Sequence, residues 1–284
     1  MKGIALALAL VAAAPAIRPP PAALRADPFY AKYLDAAGIP ILSSEKAPDG
    51  ALYAARDIVT GMLAHRSDLA RELAAMGTRV AIMAEDEYTT DLPEQRHWVK
   101  PARDDPRLTR CERKHYDTRI RKVTDRAYWN ARARGMGGVL TSGAAEDLLG
   151  LTTSRYYGET IFVHEFAHGI LHAIQRRARP LYAAVERAYA AARASGRWTN
   201  EYALTSVGEY WAEGTQTWFE SNRLTVVDGT RILSPADLKR YDPALYAVLG
   251  KAYGRRHRLD SDPFWRHSAR VPPGPIPLNT AEVC

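Results

Sequence analysis

The chain has 284 residues, 46% of them hydrophobic and 25% charged, which excludes a disordered, collagenous or low-complexity protein. Two cysteines exclude a disulfide-dense scaffold and a multi-cysteine zinc site. The formal net charge of +7 permits contact with anionic partners without requiring it.

The first predicted element is a targeting segment. Lys2 precedes the apolar run from Ile4 to Ala14, and Ala14-Pro15-Ala16 offers a small-x-small cleavage site. That layout predicts a signal peptide over 1–16 and an exported protein, secreted or periplasmic. The run is too short for a stable membrane span, and no later stretch is long and apolar enough. Export would allow Cys111 and Cys284 to pair as a structural disulfide.

Residues 17–50 form an N-terminal segment that opens with the extended Arg18-Pro-Pro-Pro21, and 51–284 form the main domain. Helical spacing of apolar residues covers 51–75, with an interruption near Arg66-Ser67. Arg79 to Ala84 reads as a buried strand, and Glu85 to Glu94 as an acidic turn. Residues 96–134 carry thirteen Arg and Lys against five acids. Those charges are interspersed, as on a solvated face. Aromatic residues such as Trp98 and Trp129 interleave with them, but no nucleic-acid motif is present, so no nucleic-acid partner is expected. An anionic cell envelope is the better match for this surplus. The loop Gly135-Met-Gly-Gly138 leads to a short helical segment at Glu146–Leu149. Further helices are predicted over 160–177, 181–194 and 206–222, before a proline-rich tail from Val271. Strands early and helices late predict an α+β fold.

The chemistry centres on His164-Glu165-Phe166-Ala167-His168. Residues four apart share a helix face, so both imidazoles can hold one zinc ion. Glu165 is placed to take a proton from a zinc-bound water. A third ligand is needed. The longer metzincin pattern fails, because Leu171 and Ile174 stand where Gly and His would be. His172 lies one turn further along the same helix, and three successive turns of a straight helix cannot converge on one ion. Carboxylates on a later helix remain: Glu209 and Glu213, four apart among Trp211, Trp218 and Phe219. A capping box from Ser206 to Glu209 would compete for the first of them.

His164-Glu-Phe-Ala-His168 together with Tyr202-Ala-Leu-Thr-Ser-Val-Gly-Glu209-Tyr-Trp-Ala-Glu213 resembles the catalytic region of the anthrax lethal-factor-like zinc peptidases. The pair is similar also to the Mlc titration factor peptidases. In that family a tyrosine precedes the glutamate ligand by seven residues, as Tyr202 precedes Glu209. The resemblance covers 160–220 and implies a zincin-like fold with a small sheet, an active-site helix and a helical C-terminal part. It implies one zinc ion held by His164, His168 and Glu209, with Glu165 as general base. Tyr202 would stabilise the oxyanion, and Glu213 would support a ligand histidine. The implied function is hydrolysis of peptide bonds in a peptide or protein substrate. By the same analogy, the strand near 79–84 would form a cleft wall and pair with substrate. A second class stays open: a catalytically silent zinc-binding module that acts on the envelope or a partner. Such a module would need neither Glu165 nor Tyr202.

Overall fold

A computed structural model describes residues 15–106 and 108–281. The signal-peptide run, up to Ala14, and Cys284 with its possible pairing to Cys111 lie outside the described residues. Strands β1 (Lys32–Ala36) and β2 (Ile39–Ser43) form a hairpin. Its two-residue turn, Ala37-Gly38, has positive φ at both positions (55° and 85°), as such tight turns require. Helices α1 (Asp49–Leu63) and α2 (Ser67–Ala75) follow, broken where the sequence indicates. Strand β3 (Arg79–Met83) then enters the sheet.

The basic stretch forms two short α-helices, α3 (Arg110–Lys114) and α4 (Asp125–Arg132), with a π-helical turn at Tyr116–Ile120 between them. Leu108, Tyr116, Ile120 and Tyr128 give it a small core of its own. Strand β4 (Leu140–Ala144) completes a sheet in the order β1-β2-β3-β4. The first pair is antiparallel and the other two are parallel. One turn of helix, α5 (Ala145–Leu148), leads toward α6 (Ile161–Arg177), α7 (Arg179–Ala194) and α8 (Val207–Trp218). A small hairpin of β5 (Thr225–Val227) and β6 (Thr230–Ile232) precedes α9 (Pro235–Tyr241) and α10 (Pro243–Tyr253). Residues 271–281 run without regular structure, as expected. The fold is α+β. Among the described residues no helix is long and apolar enough to cross a membrane.

Side chains alternate across the sheet with the period of two that strands impose. Ile39, Ile41, Val80 and Ile82 face the large core built with the helices, while Leu42, Ala81 and Met83 face a smaller layer with Tyr30 and Leu92. The N-terminal segment 17–50 supplies β1 and β2, and β2 pairs with β3. One expectation needs correction: β3 is flanked on both sides, so it has no free edge for a substrate strand. The outer edge belongs to β4, and Met136 pairs antiparallel with Ser142 along it.

Candidate metal centre

Helix α6 carries the histidine motif through the middle of the molecule. Phe162, Val163, Phe166, Ala167 and Ile170 are fully buried, so the helix is fixed on nearly every side. Its start is secured from outside: the Asp147 carboxylate accepts the backbone N–H of Ile161 at 3.4 Å and of Phe162 at 3.3 Å. An acidic group there also complements the helix dipole. Trp211 of α8 donates its Nε1–H to the Ala167 carbonyl at 3.0 Å, which sets α8 against α6.

Helix α8 begins at Ser206, whose hydroxyl accepts the backbone N–H of Glu209 at 3.1 Å. The Glu209 carboxylate does not reach back to complete a capping box. It turns instead to α6. One oxygen lies 2.9 Å from His164 Nε2 and 3.4 Å from His168 Nε2. The other accepts the Tyr202 hydroxyl at 3.3 Å. Ligand atoms of His164, His168 and Glu209 all lie within 4.8 Å of one another, the only such group among the described residues. His172 is exposed and outside the group. The α8 helix ends at Trp218 rather than 222, because Glu220 adopts φ 56° and Ser221 N–H bonds back to the Gln216 carbonyl at 2.9 Å. That is a Schellman-type close.

On the far side of His164, Nδ1 lies 3.2 Å from Gln216 Oε1 and 3.4 Å from Glu213 Oε1. With Nδ1 held there, Nε2 is the nitrogen turned toward Glu209 and His168, and it is the one that a metal ion would take in place of its proton. Gln216 was not singled out in the sequence. Its signal was positional: 209, 213 and 216 follow the i, i+4, i+7 rule of one helix face.

The loop after α4 closes over the motif. A Cβ added to Gly137 would sit 2.5 Å from His168 Cδ2 and 2.7 Å from the Glu165 carbonyl oxygen. At Gly135 it would meet Glu165 Cγ at 3.1 Å. Glycine is therefore required for backbone to pass this close to the motif.

The electrostatics follow from burial and from crowded carboxylates. Burial pulls the His164 imidazole down, but its hydrogen bond to Glu209 and the charges of Glu165, Glu213 and Glu209 prevail and lift it to about 10. Burial opposes ionisation of Glu209, yet hydrogen bonds from His164 and His168 hold it well below the usual carboxylate range. Burial raises Glu165, and raises Glu213 to about 7. Two imidazole nitrogens and one carboxylate oxygen are a donor set that zinc accepts. The residues present fit that ion.

No family model and no curated protein matches the chain. Among solved structures it is similar to the Pro-Pro endopeptidase from Paenibacillus alvei, with a TM-score of 0.47 and 13% identity over 74% of this chain and 96% of that one.

Proposed function

We propose that the protein is a zincin-like, zinc-dependent peptidase, exported from the cell, that hydrolyses peptide bonds in a peptide or protein substrate. The observation that carries the reading is the convergence of His164, His168 and Glu209 within 4.8 Å, with Glu165 in the same motif and Tyr202 bonded to Glu209. His164, His168 and Glu209 would hold one zinc ion. Bound there, zinc would supply Lewis acidity and lower the pKa of a water to about 7.

The chain's own residues account for the remaining steps. Glu165 accepts a proton from the attacking water. It then delivers the proton to the leaving amine. Tyr202 donates its O–H to the substrate carbonyl oxygen as negative charge develops there. Gln216 and Glu213 hold the His164 ring in orientation through Nδ1. Arg and Lys in 96–134 would favour residence near an anionic envelope. Export rests on the N-terminal layout of Lys2 and the apolar run after it.

A mixed peptide library, incubated with the zinc-loaded protein and read by mass spectrometry, tests the reading. New amino and carboxyl termini are expected with wild type and none with Glu209→Ala, which should also lose its zinc. Zinc-loaded wild type that cleaves nothing removes the peptidase reading in favour of a binding module. If Glu213→Ala loses the metal and Glu209→Ala keeps it, the ligand lies one turn later.

A further inference from the structure

A cavity of about 310 Å³ lies against the metal centre, with Glu159, Glu213, Asn222 and Arg223 among its lining residues. It borders the centre in two places. Glu213 Oε1 lies 3.4 Å from His164 Nδ1. Thr280 also lines the cavity, and its hydroxyl lies 3.3 Å from Oε1 of Glu201, the residue before Tyr202. Ligand pockets start at about 300 Å³, so this one suits a single side chain rather than a whole ligand.

Its polar lining is rich in acceptors. Thr217 Oγ1 donates to the Glu213 carbonyl at 3.0 Å, which uses its one proton. The same oxygen must then accept Asn222 Nδ2, at 3.1 Å. That fixes the amide. Asn222 is 3% exposed, and its Oδ1 is buried with no partner among the described residues. Glu159 and Glu213 add two carboxylates. Arg223 is the one cation among the described lining residues, and it is largely engaged elsewhere. Its Nε and Nη2 donate to the Tyr157 carbonyl at 3.1 and 2.8 Å, and Nη2 also to the Arg155 carbonyl at 3.2 Å. Its Nη1 approaches Glu159 at 3.6 Å, too far for a hydrogen bond.

Two carboxylates and an amide oxygen therefore meet one guanidinium that points mostly to backbone carbonyls. Buried acceptors without donors are costly, and a cation with several N–H groups removes that cost. A lysine ammonium brings three such donors and an arginine guanidinium five. The aliphatic stem of either would pack on Leu224 and Pro272, which line the same cavity.

We propose that this cavity is a subsite for a basic side chain, lysine or arginine, of the peptide substrate. The inference rests on the peptidase reading and adds a substrate class to it. It sets an acidic recognition site into a chain whose net charge is +7.

Selectivity measured with the zinc-loaded protein tests it. Peptides cleaved from a mixed library should carry Lys or Arg at one fixed position from the scissile bond. The kcat/KM for a lysine peptide should exceed that for its norleucine counterpart by about 10- to 100-fold, as a charged hydrogen bond provides. Glu159→Gln should bring this ratio to within about threefold, and Glu159→Lys should turn the preference toward glutamate. No basic preference in wild type, or a ratio that Glu159→Gln leaves unchanged, would overturn the inference while the peptidase reading stands. Should both Glu159 variants fail to fold, Arg223→Met removes the competing cation and should raise the ratio at least about threefold. An unchanged ratio there overturns the inference. If wild type cleaves no peptide, the peptidase reading fails separately. Calorimetric titration with the same lysine and norleucine peptides then reads the subsite. Tighter binding of the lysine peptide that Glu159→Gln abolishes supports the inference, and equal affinities overturn it.

Discussion

Glu165→Gln is expected to retain its zinc and to lose turnover by about 10²- to 10⁴-fold, the range that general base catalysis contributes. The substitution preserves shape and removes only the ability to accept a proton. Glu165 lies between the two histidines of α6, with the backbone of Gly135 close against its side chain. A glutamine fits the same space, so a folding defect is not expected. Burial raises the Glu165 carboxyl, while the His164 and His168 charges lower it. Metal analysis and kcat on one peptide substrate check this. Unchanged turnover would remove Glu165 from the mechanism, and lost zinc would make its role structural.

Arg134→Met should destabilise the fold by about 3–5 kcal/mol, the cost of breaking a buried ion pair from one side. Arg134 is 7% exposed and Glu146 6%. Arg134 Nε and an Nη both donate to Glu146 Oε1, at 2.8 and 2.6 Å. The guanidinium also donates to the carbonyls of Ala84, at 3.3 Å, and Glu87, and it lies over the Tyr88 ring. Glu146 Oε2 already lacks a partner. Without the arginine the carboxylate would be buried alone, and the acidic turn after β3 would lose its tie to α5. The next residue is Gly135, so the loop over Glu165 should loosen and turnover should fall as well. Replacing both partners, Arg134→Met with Glu146→Leu, should recover most of the stability. Urea unfolding of the three proteins measures this, and a single-mutant cost below about 1 kcal/mol would contradict the buried-pair account.

The site was legible where its chemistry is local in sequence. His164, Glu165 and His168 declare themselves through helical spacing, Glu209 as one of two carboxylates on a later helix, and Tyr202 only through the family resemblance. What escaped depends on contacts between distant segments. Asp147 caps α6 from the end of another element, which no local pattern records. Gly137 is required by the approach of His168, thirty-one positions on.

The fold divides in the same way. Helices α1, α2, α6, α7 and α8 carry strong apolar periodicity and start within a few residues of the predicted spans, whereas α3, α4, α9 and α10 are not predicted. Ser206 was an ambiguous signal because a helix cap and a metal ligand both favour Glu209. The structure resolves it by using the Ser206 hydroxyl for the cap and leaving the carboxylate free. The strands β1 and β2 are five residues each and sit in a proline-containing segment, which hid them. Because β3 is interior, a peptide backbone cannot pair with it, and the wall beside the motif is built from the Gly135–Gly137 backbone instead.

Turnover measured while zinc is added back to chelated protein tests the central claim most directly. Cleavage of a library-derived peptide should be absent at zero zinc, rise linearly, and stop rising at one zinc per chain. Turnover that persists at zero zinc, or that does not respond to its return, would contradict a zinc-dependent site built from His164, His168 and Glu209.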